Sequence, residues 1–249
     1  MKVHKIIKRG LQHKDYCEDF LLYNELPNKH LLFAVFDGCS SGKDSFFASA
    51  LLAKTLKKIT STVSSEPTED LSEYFQKILY RWVVLLKETK QIIELETNEM
   101  LSTAIIFLLN MENKSGIAIA LGDGLLLINN NLHEIQQNNT PDYIAYHFDE
   151  ISDLQSFTNW YNRQLNIFQY QEVLEVSIST DGIFSFQKDY SLKPEILQTI
   201  ENEDVIKYLL QDNFLINNPA MLARKCNMLK NSYGIANYDD LGIIRICEI

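Results

Sequence analysis

The order of apolar and polar positions predicts β-strands at both ends and in the middle of the chain. Short runs that are apolar or alternate with polar residues, bounded by turn residues, are typical of strands. One run, at 30–36, is apolar almost throughout, which indicates a buried strand that delivers Asp37 to its end. The predicted strands are VHKII (3–7), DFLLY (19–23), HLLFAVF (30–36), STAIIFLLN (102–110), GIAIALGDG (116–124), LLLINN (125–130), LHEI (132–135), LEVSIST (174–180) and LGIIRICEI (241–249).

Helical periodicity separates these groups of strands. Apolar residues recur at three- and four-residue steps in two long segments, and lysines close the first of them, which suits a helix dipole. The predicted helices cover 43–59, 70–96 and roughly 194–232, with a loop at 61–69. Residues 138–170 predict irregular structure with short helical patches, for example at 149–165.

The arrangement of these elements favours one domain. A chain of 249 residues is long enough for one large domain or two small ones. No stretch rich in Pro, Gly or Ser divides it, and the last predicted strand must pair with an earlier one. We therefore expect a single α/β (α+β) domain over residues 1–249.

Charge and composition exclude several classes of protein. The formal net charge is −10, which argues against a partner that is duplex nucleic acid, because such a binder needs a basic face. After the N-terminal segment MKVHKIIKRG, the longest apolar run is at 104–109, which is far shorter than the roughly 20 residues that cross a bilayer. Four cysteines without C-x-x-C spacing are typical of free thiols. We expect a cytoplasmic protein with no membrane partner.

Acidic residues stand repeatedly where a predicted strand meets a turn. They are Asp37 in VFDG, Asp123 in LGDG, Asp181 in STDG, Asp239 in NYDD and the pair Glu18-Asp19 before FLLY. A single Asp-Gly is explained as an ordinary turn. The repetition beside apolar strands instead favours carboxylates that share a hard divalent cation, since clustered carboxylates repel each other.

Five motifs in order carry a family resemblance over about residues 9–246. CEDF, VFDGCSSG, the STA to ALGDG block, ISTDGIF and NYDDLGIIRI resemble the motifs of metal-dependent protein phosphatases of type 2C. The GDG form of the third motif and the NNTPDYIAY segment look like a bacterial subgroup. The resemblance implies a sandwich of two mostly antiparallel sheets flanked by helical layers, with the metals at one end of the sheets.

The resemblance also implies a role for each acid. Asp37 matches the acid that bridges two Mn²⁺ or Mg²⁺ ions, and Gly38 matches the residue whose carbonyl binds one of them. Asp181 and Asp239 match the remaining acids of the first ion. Glu18 and Asp19 match the pair that holds the second ion, largely through waters. Asp123 matches an acid that binds a possible third ion. In this family a hydroxide bridging the two ions attacks the phosphorus.

Two positions depart from the family pattern. Lys14 stands four residues before the Glu of the Glu-Asp pair, where the family commonly has an arginine that grips the phosphate. Lysine supplies charge but no bidentate fork. Cys39 follows the Asp-Gly, where many eukaryotic members have a histidine proposed as general acid. His13 or Lys43 could substitute for that histidine, and Cys39 itself is best explained as a small residue at a helix start.

These observations predict a metal-dependent serine/threonine protein phosphatase. Its partners would be a phosphoprotein substrate, either the target of a Ser/Thr kinase or the kinase itself. The alternatives are a pseudophosphatase acting as a regulatory binding module and a hydrolase for a small phosphoester. Residues 124–175 would form the flap that selects substrate. The aromatic residues within 142–170 are explained either as a local core under a long loop or as a substrate-gripping surface.

Overall fold

The strands of the computed structural model form two five-stranded antiparallel sheets and a small two-stranded one. The structure describes residues 1–63, 70–136, 141–164, 166–191 and 202–249. The strands are β1 (Lys2–Lys8), β2 (Asp19–Leu26), β3 (His30–Gly38), β4 (Ser102–Asn110), β5 (Gly116–Leu121), β6 (Gly124–Ile128), β7 (Asn131–Ile135), β8 (Ile167–Tyr170), β9 (Val176–Ser179), β10 (Phe186–Lys188), β11 (Ile235–Asn237) and β12 (Leu241–Cys247). One large sheet has the order β1-β12-β9-β6-β7, and the other has β2-β3-β4-β5-β8.

The helices lie on the outer faces of the two large sheets. They are α1 (Ser45–Thr60), α2 (Leu71–Ile92), α3 (Leu154–Arg163), α4 (Asn202–Leu210) and α5 (Met221–Met228). One apolar core joins the β2–β8 sheet to α1, α2 and α3, a second fills the space between the sheets, and a third joins the β1–β7 sheet to α4 and α5. The expected fold class, a two-sheet sandwich flanked by helical layers, is confirmed.

The sequence of strand β3 is apolar without interruption because both faces of the strand are buried. Successive side chains of a strand point to opposite faces. Leu32, Ala34 and Phe36 accordingly enter the core under the helices, whereas Leu31, Phe33 and Val35 enter the core between the sheets. A strand buried on both faces carries no polar alternation. The same argument applies to β4, which pairs with β3 along its full length.

The structure differs from the expected elements in three places. Strand β8 lies within 138–170, where irregular and short helical structure was expected, and it pairs with β5 at the edge of the sheet. The pair β10 and β11 has only three residues in each strand, too few for a recognisable period. The expected helical segment at 194–232 contains α4 and α5 with a break between them. Its first residues, 194–201, and most of the expected loop at 61–69 lie outside the described residues.

The aromatic residues around α3 belong mainly to the core, as the first of the two alternatives predicts. Five of them are buried in the core beneath the helices, namely Tyr143, Phe148, Phe157, Trp160 and Tyr161. Tyr146 differs, since its side chain is 55% exposed. Within the part of the chain that is described, no helix combines the length and apolar character needed to cross a membrane.

Candidate active site

Two neighbouring strands bring Asp19 and Asp37 side by side. Strand β2 begins at Asp19, and β3 ends at Asp37 and Gly38. The antiparallel register pairs Asp19 directly with Asp37. Directly opposed residues of an antiparallel pair point to the same face. The two carboxylates are therefore forced together by strand pairing.

The other large sheet contributes Asp181 and Asp239 at the same end of the sandwich. Asp181 follows β9, and Asp239 precedes β12, the partner of β9. Thr180 joins the two sheets here. Its N–H donates to the Gly242 carbonyl (3.0 Å), and its hydroxyl donates to Asp19 Oδ2 (2.7 Å). We refer to Asp19, Asp37, Asp181 and Asp239 as the acid centre.

Burial and neighbouring negative charges raise the pKa values of three carboxylates of the acid centre, those of Asp19, Asp37 and Asp181. Burial, followed by the negative charges of Asp19, Asp181 and Asp239, raises the pKa of Asp37 well above its usual range. Burial also raises the pKa of Asp19, despite the hydrogen bond from Thr180. Burial and the charges of Asp239 and Asp123 raise the pKa of Asp181 to about 6. Carboxylates that perturb one another in this way are typical of functional sites.

Asp123 lies next to the acid centre. It occupies the turn between β5 and β6, where Gly122 has a φ of +84°. That left-handed backbone is readily adopted only by glycine. Among the charges that raise the pKa of Asp181, Asp123 is second only to Asp239. The turn therefore brings a fifth carboxylate within electrostatic reach of the centre.

Glu18 and Asp240 lie beside the acid centre, and each accepts two hydrogen bonds that fix its carboxylate. Glu18 accepts hydrogen bonds from the hydroxyls of Ser45 (2.5 Å) and Ser40 (2.6 Å). The buried Asp240 accepts from the backbone N–H groups of Gly10 (2.7 Å) and Glu18 (2.5 Å). Asp240 thereby fastens the segment before β2 to the start of β12. In the sequence, Asp240 is noticeable only as the second acid of NYDD, and nothing there indicates this role.

Two glycines of the Asp-Gly motifs are required by close backbone contacts. A Cβ at Gly38 would lie 2.0 Å from the Ser45 carbonyl oxygen, so glycine lets the start of α1 approach the end of β3. A Cβ at Gly182 would lie 1.7 Å from the Asp240 carbonyl oxygen. The repeated Asp-Gly pattern thus reflects the close packing of chain segments around the acids.

His13 is the basic side chain that reaches the acids. Its Nε2 lies 2.9 Å from Asp239 Oδ1, and its Nδ1 lies 3.4 Å from Asp240 Oδ2 and 3.6 Å from Glu18 Oε2. Lys14 has an exposed side chain, while its carbonyl accepts a hydrogen bond from Arg9 (2.9 Å). Lys43 pairs with Glu96 at the surface (2.6 Å).

Cys39 connects the loop after Asp37 to the segment before α3. Its Sγ lies 3.1 Å from the Ser41 hydroxyl. Burial raises the pKa of the Cys39 thiol, but hydrogen bonds from Ser41, Tyr143 and the backbone outweigh it, so that the pKa is lowered. Burial and the contact with Cys39 raise the pKa of Tyr143. The thiol of Cys39 therefore joins two segments beside the site.

The donor set fits a hard divalent cation. Asp19 Oδ1 is buried without a hydrogen-bond partner, and the acid centre offers carboxylate oxygens, which Mg²⁺ and Mn²⁺ prefer. In the described part of the chain, no three or more His, Cys, Asp and Glu side chains converge into a group that could hold an ion as it stands. Waters commonly complete the coordination of Mg²⁺.

Comparison with known families identifies the class of protein. The family model described as protein phosphatase 2C matches residues 8–211, which is most of the chain. The chain belongs to the protein phosphatase 2C family. No curated protein sequence matches it.

Solved structures share the fold at low sequence identity. The serine/threonine phosphatase from S. agalactiae is 12% identical with a TM-score of 0.59, and the match covers 100% of this chain and 99% of that one. RsbX, solved in complex with magnesium, is 17% identical with a TM-score of 0.50, covering 98% and 92%. The Bacillus subtilis SpoIIE fragment, which includes part of a regulatory domain, is 14% identical with a TM-score of 0.56. The match covers 98% of this chain and 62% of that fragment.

Proposed function

We propose that this protein is a metal-dependent serine/threonine protein phosphatase. The observation that carries the proposal is the acid centre, where the two sheets bring carboxylates together and where burial and neighbouring negative charges raise the pKa values of Asp19, Asp37 and Asp181. Such an arrangement is costly unless a cation compensates it. Membership of the protein phosphatase 2C family and the likeness to a serine/threonine phosphatase fold support the same reaction.

Each acid has a proposed part in binding Mn²⁺ or Mg²⁺. Asp37 would be shared by two ions, because it lies between Asp19 of its own sheet and Asp181 and Asp239 of the other. We assign Asp181 and Asp239 to the first ion, the Gly38 carbonyl with Glu18 and Asp19 to the second, and Asp123 to a weaker third. When bound, such a pair of ions activates a water for in-line attack on phosphorus and neutralises the charge of the phosphate.

The remaining groups orient the acids and attract the phosphate. His13 holds Asp239 by its Nε2 and also faces Asp240, so we propose that it positions Asp239. Lys14 lies on the same loop with its side chain exposed, and we propose that it attracts the phosphate by its charge. The substrate would be a phosphoprotein, either a target of a Ser/Thr kinase or the kinase itself.

Hydrolysis of p-nitrophenyl phosphate with and without Mn²⁺ tests this function. We expect Mn²⁺-dependent turnover that falls about a thousandfold in Asp37→Asn, since removal of a group that stabilises the transition state costs this order of magnitude. The exposed Asp149→Asn is the matched control and should keep wild-type turnover.

Three outcomes of this assay would contradict the proposed function or change it. Turnover by Asp37→Asn close to that of the wild type would contradict the proposed metal site. Absence of turnover by the wild type towards both this ester and phosphothreonine peptides would contradict the phosphatase and favour a regulatory binding module. Turnover of the ester without turnover of any phosphopeptide would favour a hydrolase for small phosphoesters.

A further inference from the structure

Two exposed aromatic rings stack on each other near the acid centre. The Tyr16 side chain is 62% exposed and that of Phe46 is 38% exposed. Their ring centroids lie 4.5 Å apart with an interplanar angle of 23°. We refer to this pair as the aromatic shelf. Single exposed apolar residues are ordinary, whereas an exposed cluster beside a functional site is typical of a binding surface.

The contacts of Glu18 fix the position of the shelf. Tyr16 lies two residues before Glu18, and Phe46 directly follows Ser45. The Ser45 hydroxyl donates to Glu18 Oε1 at 2.5 Å, which joins the two segments. Because two residues span at most about 7 Å between Cα atoms, the backbone of Tyr16 lies beside Glu18, as does that of Phe46 through its neighbour Ser45.

Both halves of the shelf stand on anchored backbone. Phe46 belongs to the first turn of α1. The loop that carries Tyr16 is fastened by hydrogen bonds from Leu11 N–H to the Asn237 carbonyl (3.1 Å) and from Gln12 N–H to the Tyr238 carbonyl (2.9 Å). A surface that is already ordered loses little entropy when a ligand binds to it.

We propose that the aromatic shelf binds an apolar side chain of the phosphoprotein substrate, two or three residues from the phosphorylated serine or threonine. This inference rests on the proposed phosphatase function and names part of its substrate class. An extended peptide rises about 3.3 Å per residue, so a side chain at that distance lies about 7–10 Å along the chain from the phosphorylated residue. Because the Cα atom of Tyr16 lies within about 7 Å of that of Glu18, a side chain at that distance can reach the shelf while the phosphate lies at the acid centre.

The charges near the shelf favour an apolar side chain over an acidic one. The exposed Asp15 precedes Tyr16, and the exposed Asp44 lies two residues before Phe46. Of the nearby cations, Lys43 pairs with Glu96 (2.6 Å) and Lys14 is proposed to face the phosphate, so an acidic residue of the peptide would meet mainly the like charges of Asp15, Asp44 and the acid centre. Burial of an apolar side chain against aromatic faces is favourable without any charged partner.

Two phosphothreonine peptides test the proposal. They differ only at the second and third residues on each side of the phosphothreonine, which are leucine in one peptide and glycine in the other. We expect the wild type with Mn²⁺ to prefer the leucine peptide about tenfold in kcat/KM, as for one aromatic contact of good geometry. Tyr16→Ala and Phe46→Ala should remove the preference, whereas Tyr16→Phe should retain it.

The control is Ile92→Ala, because Ile92 is 79% exposed at the end of α2 and lies outside the shelf. This variant should keep the wild-type preference. A preference that survives in Tyr16→Ala, or a wild type that treats both peptides alike, would overturn the shelf as a substrate surface. A change from dimer to monomer in sedimentation of Tyr16→Ala would also overturn it, since the occupant would then be a second copy of the chain.

Failure of the shelf is distinguishable from failure of the proposed function. An active wild type without preference between the peptides overturns the shelf alone. A wild type that hydrolyses neither peptide nor p-nitrophenyl phosphate contradicts the phosphatase itself, and with it the shelf as a part of the substrate site.

Discussion

Strand β12 connects two regions that bury charge in opposite ways. It begins directly after Asp239 and Asp240 beside the acid centre, and it carries Arg245 four residues further along. At about 3.4 Å per residue, Arg245 lies roughly 14 Å from the first residue of the strand. We refer to Arg245, Lys225 and their partners in residues 208–213 as the basic cluster.

In the described part of the chain, hydrogen bonds satisfy the two cations of the basic cluster at every nitrogen except Arg245 Nε, which is buried without a partner. The fully buried Arg245 donates to the carbonyls of Gln211 and Asp212 and to Asn213 Oδ1, each at 2.7 Å. The fully buried Lys225 donates to the carbonyls of Tyr208 and Asp212, each at 2.5 Å, and to Asp212 Oδ1 at 3.0 Å.

A third base of this region stays uncharged. His4 is buried, and its two ring nitrogens have no hydrogen-bond partner. Burial and the charge of Arg245 lower the pKa of His4, so its neutral form is favoured. The acid centre has the opposite character, because burial and neighbouring like charges raise the pKa values of Asp19 and Asp37, and Asp19 Oδ1 lacks a partner. Satisfied buried charge holds a fold together, whereas unsatisfied buried charge indicates a place for a ligand.

Arg245→Leu should have the largest effect on folding. It leaves two carbonyls and an amide oxygen buried without their donor, and we expect a loss of about 3 kcal/mol in the free energy of unfolding. Chemical denaturation measures this loss. The exposed Arg224→Leu is the control and should change stability by less than about 0.5 kcal/mol. An Arg245→Leu variant as stable as the wild type would contradict the claim that the basic cluster stabilises the fold.

Asp181→Asn should act in the opposite direction and stabilise the metal-free protein. A carboxyl with a raised folded-state pKa contributes stability that is present below its unfolded pKa and is lost as the pH rises through the folded value, here about 6. At pH 7 in EDTA we therefore expect Asp181→Asn to gain about 1–2 kcal/mol. The gain should be much smaller near pH 4, where the folded wild type is protonated and its unfolded state is about half protonated.

Thermal unfolding in EDTA between pH 4 and pH 8 measures this difference. Added Mn²⁺ should raise the Tm of the wild type and have little effect on the variant, because a ligand stabilises only the state that binds it. A variant that is less stable than the wild type at pH 7 would show that the carboxylate is not under electrostatic strain.

Variants of His13 and Lys14 should have different effects, because we propose that His13 positions an acid and that Lys14 attracts the phosphate. His13→Ala should weaken Mn²⁺ binding about tenfold, as for other groups that orient a metal ligand, whereas Lys14→Ala should leave Mn²⁺ binding unchanged and raise KM a few-fold. Calorimetry and steady-state kinetics measure the two effects. His13→Asn is the conservative variant and should restore part of the affinity. Equal Mn²⁺ affinities for the wild type and His13→Ala would contradict the positioning role.

Much of the fold could be predicted because its central strands are buried on both faces. The run from Leu31 to Phe36 and its partner β4 are apolar for that reason, and their bounds follow from the sequence. The edge strand β8 has only four residues, none of them fully buried, so its signal is weak beside the helical pattern that precedes it. Strands β10 and β11 depend on contacts that no local period reveals.

The candidate site could be predicted as a set of acids but not as a network. Asp37 and Asp181 are conspicuous because each follows an apolar strand and precedes a glycine. The role of Thr180 is visible only in the folded structure, where the packing of the two sheets brings its hydroxyl to Asp19. His13 gave no spacing signal, since its partners Asp239 and Asp240 lie more than 200 residues away in the chain.

Calorimetric titration of Mn²⁺ into the metal-free protein tests the central claim most directly. The acid centre should bind at least two ions in the wild type and in Asp149→Asn, and Asp37→Asn should lose this binding while remaining folded in EDTA. Absence of binding by the wild type, or binding by Asp37→Asn equal to that of the wild type, would contradict the claim that the unsatisfied carboxylates form a metal site.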